Sequence, residues 1–369
     1  MVKVMMAAPF EAKGRYQGGI SAIVRSVMDA PESMDAAQMQ IIPFNTCRME
    51  RNNDGNGRLN LENLQNFGLI YRDVVPELRA AAPDVFYLHT SVGLALLKDL
   101  LVLRKVKKQT GCKTVLHIHF ADIEKILTGK GVLDRWILSL LKTYADGIVF
   151  LSAQTMEQFV QQGIAREKCF VIYNFSTLAY TQDELFAQEE TPGTDLLFVG
   201  SIDDRKGLFD ALAVLEELEE PYTLHVCGGF GNDENEALFR RYEEKLGQKL
   251  QFHGFVKGED KRRIFKDCDV LLLPSYGEGL PVVILEAFSA GCGVITTTVG
   301  AIPEIVGAEN GAVIAPGDRV ALKKALQDYL SMDKTALRAQ KERNVALAER
   351  YTLDMFIHNI AAVCVEVHK

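Results

Sequence analysis

Two glutamates, Glu278 and Glu286, are separated by seven residues in a segment rich in glycine and proline. Gly277, Gly279 and Pro281 surround the first glutamate, and the run LLLPS before them has the composition of a buried strand. A helical pattern follows, with Pro281 suited to its first turn. The N–H groups of such a helix start can bind a diphosphate, while the glutamates can accept hydrogen bonds from ribose and sugar hydroxyls. Either glutamate alone would fit a solvated helix start, but the combination favours a ligand site.

A second turn, in the segment LLFVGSIDDRKG, ends in Arg205 and Lys206. Taken alone, two adjacent basic residues in a loop fit an ordinary solvated pair. Near the amino terminus, Gly18 and Gly19 follow an apolar run and precede the helical segment ISAIVRSVM. Glycine there allows the main chain to approach a ligand closely, although an ordinary turn between a strand and a helix would look the same.

The histidines His117 and His119 alternate on one predicted strand and therefore face the same side. Two such rings could bind a metal, but no cysteine or carboxylate set stands nearby at ligand spacing, so we expect His117 to be a core histidine whose hydrogen bonds are satisfied. The sequence Asp267-Cys268-Asp269 spells a possible metal motif. It precedes the strand VLLLPS, which puts it at the end opposite the glutamate turn. The sequence therefore predicts no metal site.

Short β-branched runs alternate with helical patterns along almost the whole chain, which is typical of parallel α/β sheets covered on both faces. The predicted strands of the first half are VKVMMAA, MQIIPFN, DVFYLHT, KTVLHIHF, GIVFLS and CFVIYN. Those of the second half are DLLFVGS, YTLHVCGG, LQFHGFV, DVLLLPS, GVITTTV and GAVIAP. Two doubly wound domains in tandem are expected, with the site in the cleft at the carboxyl ends of their strands.

The predicted domain boundaries follow from a change in composition and hydrophobic periodicity before the second set of strands. Residues 179–194 are acidic and poorly periodic and are interpreted as a linker. Residues 1–178 then form the N-terminal domain, joined by a C-terminal helix at about 352–369, and residues 195–351 form the C-terminal domain. The segment NNDGNG, residues 52–57, predicts a loop.

Composition narrows the class of protein. The chain has 369 residues, 48% hydrophobic and 24% charged, which excludes disorder and coiled coil as the main architecture. Its net charge of −8 argues against a nucleic-acid partner. Seven cysteines without a CxxC pair indicate reduced thiols. The amino terminus reads as a strand better than as a signal peptide, and we expect a soluble cytoplasmic protein.

Taken together, these segments resemble the family-4 retaining glycosyltransferases, whose fold is the two-domain GT-B architecture. The glutamate segment, PSYGEGLPVVILEAFSAGCGVITTTVGAIPEIV, resembles the family signature, and the other motifs follow in the family's order. VLHIHFAD, ADGIVFLSAQT, VIYNFS and LLFVGSIDDRKG each resemble a family segment. Two departures stand out: Ser201 replaces the usual arginine of the phosphate loop, and Phe175 replaces a usual glycine.

The resemblance implies a role for each site residue. Glu286 would bind the ribose, Glu278 and His119 the transferred sugar, and Lys206 the diphosphate, with Arg205 a candidate substitute for the missing arginine. The remaining positions would line the phosphates or the sugar: Gly18, Gly19, Gly200, Ser201, Gly279, Leu280, Pro281 and Val282. No cofactor and no metal are required in this scheme. The donor would be a nucleotide-diphosphate sugar, with a UDP-sugar favoured.

The acceptor implied by the resemblance is a glycan, and a lipid-linked glycan in particular, because several segments look like those of bacterial capsule and exopolysaccharide enzymes. Residues 96–113 are both leucine-rich and basic, and such a helix can lie on an anionic membrane. A core-facing helix with a solvated basic face would carry the same pattern. The sequence leaves these two interpretations open.

Three other functions remain as alternatives. A GT-B-like epimerase or phosphorylase would share the fold, although a phosphorylase would need a pyridoxal lysine that the sequence does not identify. A non-catalytic nucleotide- or sugar-binding protein is compatible with the departure at Ser201. A nicotinamide dehydrogenase is disfavoured, because the segment GGFGNDE lacks the third glycine of a dinucleotide fingerprint.

Overall fold

The computed structural model describes residues 1–10, 19–49, 60–91, 93–120, 131–186 and 195–369. Three sequence predictions fall outside these residues. They are the predicted role of Gly18 in binding the phosphates or the sugar, the loop at 52–57 and the part of the linker from 187 to 194.

The described chain divides into two compact units, and the N-terminal unit comprises Met1–Asn174 and Leu353–Lys369. Its sheet has six parallel strands in the order β2-β1-β3-β4-β5-β6. The strands are β1 (Val2–Ala8), β2 (Met39–Asn45), β3 (Val85–Thr90), β4 (Lys113–Ile118), β5 (Gly147–Phe150) and β6 (Cys169–Val171). The inner strands β1, β3, β4 and β5 are buried along almost their whole length because helices cover both faces of a parallel sheet, whereas the edge strands β2 and β6 are partly exposed.

Helices connect these strands and complete the core of the N-terminal unit. They are α1 (Gly19–Met28), α2 (Pro31–Ala36), α3 (Leu61–Ala81), α4 (Leu94–Thr110), α5 (Val132–Tyr144) and α6 (Ala153–Gln161). Asn60 caps α3 and Ser152 caps α6, each by accepting a backbone N–H three residues on.

The C-terminal unit comprises Phe175–Thr352 and contains a second sheet of six parallel strands. The strands are β7 (Asp195–Val199), β8 (Thr223–Cys227), β9 (Leu250–Gly254), β10 (Val270–Leu273), β11 (Gly293–Thr297) and β12 (Gly311–Ile314). Their order, β12-β11-β10-β7-β8-β9, reverses direction between β7 and β10. In open sheets of this kind, ligands bind beyond the carboxyl ends of the strands at such a reversal.

Eight helices of the described C-terminal unit surround this sheet. They are α7 (Gln182–Phe186), α8 (Leu208–Glu216), α9 (Asp233–Leu246), α10 (Gly258–Asp267), α11 (Val282–Ala290), α12 (Ile302–Ile305), α13 (Arg319–Leu330) and α14 (Lys334–Ala348). The chain then returns to the N-terminal unit, where α15 (Leu353–His368) packs against β1, β3 and β4.

All twelve predicted strands are present, and the prediction of an α/β fold with two doubly wound sheets is confirmed. One local prediction was wrong: Pro281 does not lie in the first turn of α11 but is its N-cap, with φ of −68° and ψ of 122°. The seven cysteines are free thiols, as predicted. None of the described helices combines the length and apolar character that a membrane crossing requires.

The segment at 96–113 is largely a core element. The apolar side chains of α4 belong to the core of the N-terminal unit, including Leu96, Leu100 and Leu103. They therefore do not form the exposed leucine-rich face that an amphipathic membrane helix needs. Of the two interpretations that the sequence left open, the structure favours the core-facing helix with a basic outer side.

Candidate functional site

The predicted phosphate loop and the predicted glutamate turn lie next to each other because β7 and β10 are paired. The first loop follows β7 and the second follows β10, so both lie at the carboxyl ends of their strands, where the sheet order reverses. The backbones approach closely: a Cβ at Gly207, which has φ of +71°, would lie 2.1 Å from the carbonyl oxygen of Pro274. Only glycine fits this position, and the contact fixes the two loops to each other.

Lys206 and Glu278 form the central ion pair of these loops. Lys206 Nζ lies 2.6 Å from Glu278 Oε1, which also accepts a hydrogen bond from Ser275 Oγ at 2.8 Å. The exposed fractions of the lysine and glutamate side chains are only 14% and 7%. The pair therefore holds two opposite charges in a defined geometry, and removing one partner would leave the other buried and unpaired.

Ser201, which stands where the family usually has arginine, stabilises the turn that carries Lys206. Its Oγ donates a hydrogen bond to Asp203 Oδ2 at 2.7 Å, and Asp203 Oδ1 accepts the Lys206 N–H at 3.1 Å. Asp203 thereby caps the short helical turn Asp204–Lys206. Ser201 thus acts on the turn's conformation through Asp203.

Glu286 is completely buried in α11. Its Oε1 lies 2.5 Å from Lys261 Nζ of α10 and accepts a hydrogen bond from Thr177 Oγ1. Its Oε2 has no hydrogen-bond partner among the described residues. A buried acceptor without a partner costs roughly 1–3 kcal/mol, and more when it is charged, so this oxygen is suited to a hydroxyl donor from a ligand.

The start of α11 has no side-chain cap, and its N-cap residue is a proline. The N–H groups of its first turn, which begins at Val282, can therefore donate hydrogen bonds to an anion. The turn before it, through Gly279 and Leu280, is held against a neighbouring loop. Ala301 donates its N–H to the Gly279 carbonyl at 2.9 Å, and a Cβ at Gly300 would lie 2.4 Å from the same oxygen.

Arg205 points to a different neighbour from Lys206. Its Nη1 donates to the carbonyl oxygen of Gly277 at 3.1 Å, and its own carbonyl accepts the N–H of Tyr276 at 2.8 Å. It also lines a cleft of about 560 Å³, together with Asp210, Arg319 and neighbouring residues. The guanidinium thus supports the turn before Glu278.

The N-terminal unit presents a cluster of three histidines at the carboxyl ends of β3 and β4. His89 of β3 is paired in register with His117 of β4, and His119 follows β4 directly. His89 Nδ1 lies 2.7 Å from His119 Nε2, and His117 Nδ1 lies 3.0 Å from the hydroxyl of Tyr87. His117 is completely buried, as predicted of a core histidine, but the expectation that its hydrogen bonds are satisfied is wrong for Nε2, which has no partner among the described residues.

The cluster is uncharged at neutral pH. Burial lowers the pKa of His89 and His117 well below the ordinary histidine value, and it lowers the pKa of His119 to about 3. The neighbouring rings add to the effect on His89 and His117, because a second positive charge nearby would be unfavourable.

Two further predicted positions can be located. Gly19 begins α1 and is exposed, and a Cβ placed on it would meet nothing within 4 Å among the described residues. Asp267-Cys268-Asp269 lies at the amino end of β10, opposite the glutamate turn, as predicted. Asp269 accepts the N–H of Asp195 at 3.0 Å, which links the starts of β10 and β7.

Sequence reasoning missed several residues of these sites, namely Thr177, Lys261, Ser275, His89 and Tyr87. Ser275 lies within the quoted glutamate segment, and its position three residues before Glu278 was a usable signal. Lys261 and Thr177 lie 25 and 109 residues from Glu286, and only the fold brings them to it. His89 lies beside His117 through the register of β3 with β4, which spacing along one strand does not give.

Comparison with known proteins identifies the class of protein that this fold and site define. The galactosyltransferase WaaB of the lipopolysaccharide outer core has a TM-score of 0.72 and 19% identity, covering 98% of this chain and 99% of that one. The Anabaena protein HepE, solved with UDP-glucose, has a TM-score of 0.68 and 19% identity, covering 98% of each chain. The fold is thus the GT-B fold of glycosyltransferases.

The family follows from sequence comparison. The family Glycosyl transferases group 1 matches residues 181–344, and Glycosyltransferase Family 4 matches residues 50–178. The alpha-galactosylglucosyldiacylglycerol synthase of Streptococcus pneumoniae is 28% identical over 264 residues, which are 67% of this chain and 69% of that protein. The chain thus contains a group 1 glycosyltransferase domain at 181–344 and a family 4 glycosyltransferase domain at 50–178, as its motifs suggested, and it is a glycosyltransferase.

Proposed function

We propose that this enzyme transfers a hexosyl group from a nucleotide-diphosphate sugar to a glycan acceptor with retention of the anomeric configuration. The observation that carries the proposal is Glu286. A carboxylate that is completely buried, with one oxygen on Lys261 and the other without a partner among the described residues, is poorly explained by stability alone. A ribose hydroxyl at Oε2 would satisfy it.

The neighbouring groups supply what a departing diphosphate requires. Negative charge builds on the phosphate oxygen as its bond to the anomeric carbon breaks. Lys206 and the N–H groups at the start of α11 would stabilise that charge, and Glu278 would hold sugar hydroxyls. Because Glu278 already fixes the Lys206 ammonium at 2.6 Å, little reorganisation is needed when the donor binds.

In the proposed reaction the acceptor oxygen attacks the anomeric carbon on the face that the diphosphate leaves. The new bond joins that carbon to the acceptor oxygen, the bond to the phosphate oxygen breaks, and the acceptor's hydroxyl proton passes to the departing phosphate. No covalent intermediate with a side chain and no metal ion takes part. His119 is proposed to contact the transferred sugar as a neutral hydrogen-bonding group.

A UDP-sugar is the proposed donor, and a lipid-linked glycan of the bacterial surface is the proposed acceptor. Support for the donor comes from HepE, whose structure contains UDP-glucose. Support for the acceptor comes from the names of relatives, which include a diacylglycerol glycolipid synthase and a lipopolysaccharide outer core galactosyltransferase.

Thermal unfolding in the presence of UDP-, GDP- and ADP-glucose tests the donor assignment. A ligand that binds only the folded state raises the melting temperature, by an amount that grows with its concentration above Kd. We expect the largest shift with the UDP-sugar and a clearly smaller one in the Glu286→Gln variant at the same ligand concentration. The matched control is Glu259→Gln, which alters an exposed carboxylate of α10. A shift equal for all three nucleotides, or one as large in Glu286→Gln as in the unaltered enzyme, would contradict the assignment.

We also propose that the enzyme binds anionic membranes at the side of α4 and α5, which pack together. Arg104 and Lys108 are exposed on α4, and three apolar side chains of α5 are exposed as well: Val132, Leu133 and Trp136. Each basic residue near an anionic surface contributes about 1 kcal/mol. Lys107 contributes less, since it is paired with Asp146 at 2.6 Å.

Sedimentation with anionic vesicles at low salt tests this surface. The double variant Arg104→Glu, Lys108→Glu should bind more weakly than the unaltered enzyme. The control variant Lys334→Glu, Arg350→Glu makes the same charge change on exposed residues of the C-terminal unit and should bind normally. Equal binding by both double variants would show that α4 is an ordinary solvated helix face.

A further inference from the structure

The three histidines of the N-terminal unit converge for a reason built into the sheet. His89 and His117 are register partners on adjacent parallel strands, and His119 lies two residues beyond His117 on the same face. One nitrogen from each ring lies within 4.8 Å of the other two. Strand geometry thus groups the three imidazoles. Next to them, a hydrogen bond from the His119 N–H to the Thr90 carbonyl, 3.0 Å long, joins the two chain segments.

Two nitrogens of this cluster have nothing to bind. His89 Nε2 and His117 Nε2 are buried, and neither has a hydrogen-bond partner in the part of the chain that the structure describes. Leaving a buried polar atom without a partner destabilises the fold. The cluster of possible metal ligands contains three histidines and no carboxylate of the described residues, so it includes no group that would pair with a positively charged ring. A lone pair on a neutral imidazole is satisfied by a hydrogen-bond donor or by a metal ion.

Tyr87 supplies the orientation that binding of a metal ion needs. Its hydroxyl lies 3.0 Å from His117 Nδ1 and can accept the N–H of that nitrogen, which leaves the Nε2 lone pair directed away from Tyr87. Histidines that ligate metals almost always donate their other ring N–H to an oxygen in this manner. Tyr87 is itself completely buried, so its position is fixed by the core.

We infer that His89, His117 and His119 form a binding site for a d-block divalent cation, with Zn²⁺ the ion that fits best. Three imidazole nitrogens with a fourth position open to water make a common zinc coordination set. The absence of oxygen ligands from this set disfavours Mg²⁺ and Ca²⁺. Coordination through His119 Nε2 breaks its hydrogen bond with His89 Nδ1 and leaves His89 to bind the ion through Nε2. The ion can reach the site past His119, which is partly exposed.

This site goes beyond the proposed transfer reaction, none of whose steps uses the ion. One consequence, unlike the binding itself, rests on the proposed function: an ion on His119 withdraws that ring from the sugar. Zn²⁺ is therefore an inhibitor of transfer, and a chelator reverses the inhibition. A failure of the donor site would leave the metal binding unchanged, so the two proposals can be judged separately.

The test is a titration of the full chain, free of any affinity tag and stripped of metal, with Co²⁺ and then Zn²⁺. We expect one Co²⁺ per chain, the visible absorption of a tetrahedral complex, and stoichiometric displacement by Zn²⁺. His89→Gln should abolish stoichiometric binding. Tyr87→Phe, which keeps the ring and the fold, should weaken it by about 10–100-fold.

The matched control lies in the C-terminal unit, where His225 and His253 also stack, with their nitrogens 3.0 Å apart. The double variant His225→Gln, His253→Gln should bind one ion with unchanged affinity. The inference is overturned if the unaltered chain takes up no stoichiometric Co²⁺ or Zn²⁺. It is equally overturned if binding survives both His89→Gln and Tyr87→Phe, or disappears in the His225, His253 double variant.

Discussion

The two units carry polar clusters at the carboxyl ends of their strands, and the two clusters differ in charge. In the C-terminal unit, Glu278 and Glu286 are buried and are paired with Lys206 and Lys261. In the N-terminal unit, the cluster at the ends of β3 and β4 consists of three imidazoles whose pKa values are all lowered. The first arrangement suits a ligand that carries charge, and the second suits neutral hydroxyls or a metal ion.

Under the proposed function, this difference would divide the binding of the donor between the two clusters. Its diphosphate would meet ammonium groups that are already in position and largely withdrawn from solvent. Its sugar would present only hydroxyls, for which a neutral imidazole is an adequate partner. Variants that alter one cluster at a time test whether the difference in charge between the two clusters matters for activity and stability.

The largest effect is expected for Lys206→Ala. Charge develops on the diphosphate mainly in the transition state, so kcat should fall by about 10²–10³-fold while the donor Kd changes much less. Steady-state kinetics and calorimetric donor binding measure the two quantities separately. Arg205→Ala serves as the neighbouring comparison and should have a smaller effect, because its guanidinium is engaged by the Gly277 carbonyl.

Two results would revise this assignment. Equal losses in kcat and donor affinity would mean that Lys206 contributes uniform binding and not transition-state stabilisation. Full activity of Lys206→Ala together with inactivity of the double variant would show that Arg205 carries the charge.

The neutral cluster makes stability depend on pH. The pKa of each of the three rings is lowered in the folded protein, to about 3 for His119, whereas the unfolded chain takes up protons below the ordinary value of about 6.5. The free energy of unfolding should therefore fall as the pH drops below about 6.5, by up to about 1.4 kcal/mol per pH unit for each ring.

Urea unfolding between pH 7 and pH 5 checks this linkage. His117→Gln should make the dependence of the unfolding free energy on pH shallower, by about one proton. His358→Gln, which removes an exposed imidazole of α15, should leave the slope as it is. The same slope for His117→Gln and the unaltered protein would mean that His117 is protonated in the folded state.

The smallest effect is expected from chelation. If Lys206 and the start of α11 replace a cation at the diphosphate, dialysis against EDTA should not lower the transfer rate. The measurement is the initial rate before and after dialysis, with Mg²⁺ and Mn²⁺ added back. Complete loss of activity that either ion restores would show that the paired charges of the C-terminal unit are not sufficient.

Most of the fold was predictable, because an apolar strand buried on both faces is nearly continuous in sequence. VKVMMAA and MQIIPFN match β1 and β2 residue for residue. The pattern of apolar and basic residues was ambiguous where the same sequence would fit two environments. Residues 96–113 would read the same on a membrane as against a sheet, and only tertiary packing shows that Leu96, Leu100 and Leu103 are in the core.

The candidate site was predictable where its residues are close in sequence and not where they are distant. Glu278, Glu286 and Lys206 lie in loops that the strand pattern locates. Lys261 and Thr177 carry no local signal, because their contact with Glu286 depends on how α10 and the start of the C-terminal unit pack against α11. His89 needed the register of β3 with β4, which spacing along one strand does not give.

The central claim is that Glu286 binds the nucleotide of a sugar donor, and calorimetric titration with UDP-glucose tests it most directly. Glu286→Gln keeps the size of the side chain but removes the charged acceptor, a hydrogen bond of about 1.5–3 kcal/mol, which corresponds to about 10–100-fold in Kd. The account predicts a loss of this size for Glu286→Gln and an unchanged Kd for the exposed control Glu259→Gln. An unchanged Kd for Glu286→Gln, with the unaltered enzyme binding UDP-glucose normally, would contradict it.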